Sequence, residues 1–289
     1  MSSYRFCRSD DLPVLVEAYN ACFVPHFAHR RAVEVGDLKR WSRELDLWTS
    51  SCMIAASDEG PLAVLLAAKR ETESLVLALG VRSGHERQGH GRHLLESLQQ
   101  KMSILGPPAL RVELPGDWRG VRAFFDACGW EERFRARDFV LEPSASAETP
   151  SPLLGPATVD ELDRLGALEG RCAERVSWWR STETLRRRAA QIAGLAAASD
   201  ERLEAFALYS EPAEPGGPRD VWALGVTDRA FEEPMVRLLL GELRRRSPLR
   251  LPRLSEAELP FGLLSRLGAQ PREETVVYGV GIEEAAGGP

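Results

Sequence analysis

The sequence predicts two tandem domains of mixed α/β (α+β) type, and three observations predict it. Residues 74–105 run as a short apolar stretch, a loop with glycines at 89 and 91, and an amphipathic stretch, which is the order strand, loop, helix. The chain also repeats itself: Ala78-Leu79-Gly80-Val81 returns as Ala223-Leu224-Gly225-Val226, and Leu94-Leu95 and Leu98 return as Leu239-Leu240 and Leu243, at a constant offset of 145 (223 − 78 = 239 − 94). Register held across a loop is harder to obtain by chance than one tetrapeptide match, so the halves read as a duplication. Glu142 to Pro156, rich in Pro, Ser and Ala and without an apolar period, reads as the connection. The predicted boundaries are 1–143, a linker 144–156, and 157–289.

Each element has its own reason. Leu12 to Phe23 is helically periodic behind Asp10 and Asp11, and Pro61 to Ala68 reads as a buried strand after the turn Asp58-Glu59-Gly60, pairing with Ser74 to Val81. Leu94, Leu95, Leu98 and Met102 recur at helical spacing with Glu96, Gln99, Gln100 and Lys101 between them, so one face is core and the other wet. Val121, Phe124, Phe125 and Cys128 follow the same period, and Gly129 suits a left-handed cap. In the second half Ala197-Ala198-Ser199-Asp200-Glu201 repeats Ala55-Ala56-Ser57-Asp58-Glu59. Trp178 and Trp179, being adjacent, cannot share one side of a helix; one covers a seam or pocket, or the pair is core and rim. Arg186-Arg187-Arg188 and Arg244-Arg245-Arg246 read as solvated helix faces or ends.

Composition narrows the function classes. With 44% hydrophobic and 28% charged residues the chain reads as a folded soluble protein, and its net charge of −6 argues against nucleic-acid binding, which needs a basic patch. No apolar run reaches membrane-spanning length, and no signal-peptide pattern opens the chain. Five scattered cysteines, Cys7, Cys22, Cys52, Cys128 and Cys172, have no metal-ligand spacing and read as reduced residues of a cytoplasmic protein.

The loop at 82–93 is suited to a phosphate. Glycines at 89 and 91 let the main chain approach an anion, and a helix starting there adds unpaired N–H groups and the positive end of its dipole. No Gly-Lys-Ser/Thr follows, as a P-loop requires, and the third glycine of a dinucleotide fingerprint is missing. The plain alternative is a tight turn needing glycine for geometry. The duplication tests this inside one chain: Gly89 falls on Pro234, Gly91 on Val236, and Arg87-Gln88 on Glu232-Glu233. A proline lacks the donor, a valine blocks approach and two glutamates oppose an anion, so the second copy has lost the site. All five histidines, His26, His29, His85, His90 and His93, also lie in the first copy.

Val81, Gly89, Gly91, Leu94 and Leu95 together resemble the acyl-CoA pyrophosphate loop of the GNAT superfamily of N-acyltransferases, Val-x-Pro-x-Tyr-Arg/Gln-x-x-Gly-x-Gly/Ala-x-x-Leu-Leu. Ser83 and Glu86 depart from it at the Pro and Arg/Gln places; Arg87 and Arg92 then supply the charge. Tyr4-Arg5-Phe6 and the helix after it resemble the family's opening elements. Phe124-Phe125-Asp126-Ala127-Cys128-Gly129-Trp130 resembles its Phe-Tyr-Glu-x-x-Gly-Phe segment, with Phe125, which has no proton to donate, at the tyrosine place.

The resemblance implies that each domain is a mixed, bent sheet flanked by helices, the second one degenerate. It implies acetyl-CoA as cosubstrate and no metal. Arg87, Gln88, Gly89, His90, Gly91 and Arg92 would hold the pyrophosphate, and main-chain groups of Leu79 and Val81 the pantetheine; ordinary ladder pairing is the alternative for that strand. His85, His90 and His93 also read as solvated loop residues. His26 and His29 lie where the family's acceptor often binds, or are simply solvated. Glu73 and Glu113 are the candidate bases, or strand ends facing water. The implied activity is N-acetylation of a primary amine on a small molecule or peptide; the competing reading is a non-catalytic acyl-CoA-binding or scaffold protein. The second copy would build the acceptor pocket, brace the first, or mediate a homodimer.

Overall fold

The computed structural model describes residues 2–281 other than 28–29, 145–152, 170, 172–174, 200–201, 213 and 246. In chain order the first part holds β1 (Ser3–Phe6), α1 (Leu12–Cys22), α2 (Val35–Glu44), β2 (Met53–Ser57), β3 (Gly60–Lys69), β4 (Ser74–Val81), α3 (His90–Leu105), β5 (Ala109–Pro115), α4 (Arg119–Asp126) and β6 (Glu131–Leu141). There follow β7 (Leu154–Ala157), α5 (Val159–Arg164), α6 (Thr182–Arg187), β8 (Ala193–Ala198), β9 (Leu203–Ser210), β10 (Arg219–Val226), α7 (Glu232–Leu243), β11 (Leu249–Ser255), α8 (Phe261–Arg266) and β12 (Gln270–Gly281). Two compact units result. One comprises the described residues of Met1–Leu114, Arg119–Glu132 and Val277–Pro289; the other comprises those of Pro115–Trp118 and Arg133–Val276. One cut at the linker does not reproduce them, because nearly all of β6 lies in the second unit and the described residues from Val277 in the first. Of the expected linker, 145–152 lie outside the described residues. Leu154 to Pro156 are strand, paired in β7 with Ala197, Ala196 and Leu195 of β8; a proline is tolerated there because β7 ends the strand order.

In the first unit the strand order is β1-β2-β3-β4-β5, antiparallel except for the parallel pair β4 and β5. Pro13 starts α1, where its missing N–H costs nothing, and Asp37 accepts from the Glu34 N–H at 3.0 Å to close the start of α2. Alternation along β3 explains two covered faces: Val64 and Leu66 join Leu15, Ala18, Tyr19 and Cys22 of α1, while Ala63 and Leu65 are buried on the opposite side. Ala63 neighbours Val81, whose Cγ2 lies 3.6 Å from the Cβ position of Gly91, so that side belongs to α3. As the sequence predicts, Leu94, Leu95, Leu98 and Met102 are buried.

Two irregularities in β4 matter for function. Against β3 the register shifts between Val76 and Ala78, leaving Leu77 as a bulge. Against β5, pairing covers only Ser74↔Leu110, Leu75↔Arg111 and Val76↔Val112, although β4 runs to Val81, so the strands diverge beyond Val76.

The second unit repeats this. Its order is β6-β11-β10-β9-β8-β7, with β10 and β11 parallel. Trp222 is its bulge, in register with Leu77 at the same offset of 145 (222 − 77), and pairing of β10 with β11 stops at Asp220↔Arg250. Phe139 and Leu141 of β6 enter its core beside Leu239, Leu240 and Leu251. A capping box between Thr158 and Glu161 starts α5.

Candidate functional site

The loop between β4 and α3 is built as a cradle. Gly89 caps α3 at φ 90°, a left-handed conformation, and open space surrounds the place a Cβ would take, so glycine is there for backbone angle. Gly91 is helical, and a Cβ on it would make only ordinary contacts with Val81 and Phe124. Arg87 is also left-handed, at φ 60°, and Gln88 is exposed beside it. The N–H groups of Gly89, His90, Gly91 and Arg92 start the helix with no acceptor among the described residues, the first partnered amide being that of His93, to Gly89 O at 2.9 Å. These four donors and the exposed Arg87 guanidinium fit a diphosphate, while the Arg92 guanidinium is engaged by Ala127 O at 3.3 Å and Glu96 at 3.8 Å.

Two side chains here behave otherwise than their residue types suggest. The carboxylate of Glu86 turns back on its own loop, accepting from its own N–H and from Gly84 N–H at 2.7 Å, which holds it below the usual carboxylate range; His26 and His85 add to this. It therefore leaves the donors at 89–92 alone. His90 has a buried ring whose Nδ1 meets Tyr4 Oη at 2.6 Å, so only its main-chain N–H serves the cradle. This corrects the reading of His90 as a solvated loop residue.

The divergence of β4 from β5 supplies the next part. Arg82 N–H donates to Leu62 O across to β3, and alternation turns Leu79 and Val81 the other way, into the gap. Leu79 thus offers both its groups there. Val81 offers its N–H, its carbonyl accepting from His26 Nε2 at 2.7 Å. His26 consequently stands beside the gap, while His29 lies outside the described residues. Gly80 has a reason invisible in sequence: a Cβ would sit 2.4 Å from Cys22 O and 2.8 Å from Phe23 Cα, so glycine lets the end of α1 lie directly on β4.

Glu73 and Glu113 come together through a residue that sequence reading passed over. Arg111 donates from Nη1 to Glu73 Oε1 at 3.1 Å and from Nη2 to Glu113 Oε1 at 2.6 Å, with all three side chains almost wholly buried. Neither acid faces water. Burial pushes the Glu73 carboxyl above the usual range, Arg111 and Arg70 oppose this, and Glu113 adds to it. Glu113 is the first β5 residue beyond the last pair with β4, where the strands begin to diverge; Glu73 lies just before the paired stretch, next to Ser74. Phe125 is buried against Phe124 and Trp130, in keeping with a packing role.

No protein-family model matches the chain, and no curated protein matches it in sequence. Solved structures do match. A tandem GNAT protein from the clavulanic acid biosynthesis pathway aligns over 100% of this chain and 99% of its own at 16% identity, with a TM-score of 0.63. A GCN5-related N-acetyltransferase from Sphaerobacter thermophilus aligns over 97% and 96% at 17% identity and 0.63, and one from Anabaena variabilis over 98% and 73% at 11% and 0.68. The chain has a tandem GNAT fold.

Within that fold the second copy has filled its own gap. Arg180, fully buried, donates from Nη1 to Val221 O of β10 at 2.8 Å and to Pro252 O of β11 at 3.0 Å, bridging the strands where they diverge. Glu258 accepts from Arg180 Nε at 2.8 Å and also pairs with Arg171. The Trp-Trp-Arg segment is thus explained: Trp178 is core, Trp179 carries Arg253 over its ring, and Arg180 is the plug. At the start of α7 the GNAT loop is replaced by Glu232 and Glu233, so the dipole is met by the chain's own carboxylates. Among the described residues no group of three or more His, Cys, Asp or Glu could hold a metal, and no helix is long and apolar enough to cross a membrane.

Proposed function

We propose that the first unit is an acetyl-CoA-dependent N-acetyltransferase acting on a primary amine of a small molecule or peptide, and that the second unit binds no acyl-CoA. The observation that carries this is the coincidence, in one unit only, of four unpartnered N–H groups at the start of α3 with a β4 strand whose pairing to β5 stops at Val76↔Val112 and which, among the described residues, no buried arginine bridges as Arg180 does in the second unit. The first would take the pyrophosphate; Leu79 and the Val81 N–H would align the pantetheine so that the thioester reaches the point beside Glu113 where the strands begin to diverge. The GNAT proteins of similar fold support the reaction class.

In the proposed chemistry Glu113 takes a proton from the incoming ammonium, and the neutral amine attacks the thioester carbonyl. The C–N bond forms, the C–S bond breaks with its electron pair going to sulfur, and the thiolate and the second amine proton are equilibrated with water. Arg111 is a positioning residue that fixes Glu113, and Glu73 backs it from behind. Cys7, Cys22 and Cys52, buried as free thiols, support a reducing, cytoplasmic setting.

Calorimetric titration with acetyl-CoA tests the reading. One site per chain is expected, lost in Gly91→Glu, which puts a negative charge among the donors at a position where a Cβ makes only ordinary contacts. Glu232→Gln with Glu233→Gln should create no second site. Absence of binding at millimolar acetyl-CoA overturns the proposal.

A further inference from the structure

The segment after α1 carries a cation that the proposed chemistry has not used. Phe23 Cα lies against Gly80, and His26 holds the carbonyl of Val81, so this segment runs beside the gap. Arg30 follows it. Its guanidinium lies over the Phe27 ring at 4.6 Å and the Phe23 ring at 5.3 Å, and Nη1 donates to Tyr19 Oη at 2.8 Å. Tyr19 is in turn fixed by Phe23 and Trp41, at 4.9 and 5.7 Å between ring centroids.

An exposed arginine is usually either mobile or paired. Arg30 is held by three aromatic side chains, yet among the described residues no carboxylate pairs with it; its neighbour Arg31 and nearby Arg40 both turn to Asp37. A planar, weakly hydrated guanidinium fixed in place, with donors still unused, is suited to a carboxylate taken in two-point fashion. The other pole lies in the same unit: under the acetyltransferase reading the incoming ammonium goes to Glu113, which Arg111 fixes at 2.6 Å. Such a pair of poles matches a zwitterion.

We infer that Arg30 is a specificity residue that binds a carboxylate on the acceptor, so that the acceptors are amino acids. This rests on the acetyltransferase reading of the first unit. A simple cationic amine would meet Arg30 with nothing to offer it.

The test measures free-thiol release with acetyl-CoA and three acceptor sets: a panel of amino acids, their carboxamides, and the amines left on decarboxylation. The wild-type chain should prefer the acids in kcat/KM. Arg30→Met should lower the acid-to-amine ratio of kcat/KM about ten- to a hundredfold, as expected for a bond to a charged group, and Arg30→Lys should restore part of it. An unmoved ratio overturns the inference, as does a wild-type chain that binds acetyl-CoA but acetylates no carboxylate-bearing amine. A fall in acetyl-CoA affinity in Arg30→Met with an unmoved ratio would place Arg30 on the donor and overturn it too. Failure of the acetyl-CoA titration itself would instead sink the acetyltransferase reading, so the two failures are distinguishable.

Discussion

Glycines 80 and 89 look alike in sequence and do different things. At 89 the demand is for a left-handed backbone with free space around it, so Gly89→Ala should cost about 1 kcal/mol of conformational strain while weakening acetyl-CoA binding. At 80 a methyl would strike main-chain atoms of Cys22 and Phe23, and Gly80→Ala should cost about 3 kcal/mol through overpacking; urea unfolding checks both. The first reason is legible in the loop's own residues. The second is not, because the atoms that exclude the Cβ belong to the end of α1, far back in the chain. The same holds for Glu73 and Glu113, whose meeting depends on the parallel pairing of β4 with β5. Glu113→Gln should lower kcat at least about a hundredfold, with acetyl-CoA affinity retained. Glu73, its carboxyl raised by burial, is a matter of sign: such a group stabilises the fold most below the ordinary carboxylate range, and that contribution is lost as pH rises through the raised value. Glu73→Gln should therefore flatten the stability profile across that window. If the profile keeps its slope, burial of Glu73 is not its source.

At the scale of elements, the diverging pair of parallel strands is the feature both copies keep, and what fills it separates them. Strand, loop and helix are readable from apolar periodicity, and the lost phosphate loop from the 145-residue register. The divergence itself is not, since ladder pairing leaves no mark on side chains. Nor is the plug: Arg180 lies between α5 and α6 in chain order, yet it bonds the carbonyls of Val221 and Pro252 on two later strands. Removing it in Arg180→Ala would leave two carbonyls unpaired in the core and Glu258 with Arg171 as its one cation, a loss of about 3–5 kcal/mol. Millimolar guanidinium chloride, compared with sodium chloride at equal ionic strength, should restore part of the thermal midpoint by occupying the vacated place; no difference between the salts would show that the gap collapses instead. Glu258 gives the complementary pH signature. Burial pushes its carboxyl up, but Arg180 and Arg171 together hold it below the usual range, so its contribution is present above the ordinary carboxylate value and is lost as pH falls through the lowered one.

For the molecule as a whole, the path of the chain is less simple than a duplication suggests. Two halves joined by a linker would be expected to fold independently, and the sequence supports that picture because its internal repeat runs in register on each side of 144–156. The compact units divide otherwise. β6, encoded before the linker, pairs with β11 from Leu141↔Leu249 to Ala136↔Ser255 and lends Phe139 and Leu141 to the second core. The described residues from Val277 belong to the first unit. A strand that leaves its own half cannot be seen in a repeat, since each copy still ends in a strand of the same kind. A fragment of residues 1–143 would therefore carry β6 without its partner and lack the chain from Val277. Expressed alone it should fail to give a cooperative unfolding transition or to bind acetyl-CoA, and co-expression with residues 144–289 should restore both. A lone fragment that binds acetyl-CoA as the full chain does would mean that the first half is self-sufficient, and that its last strand is lent to the second unit at no cost to the site.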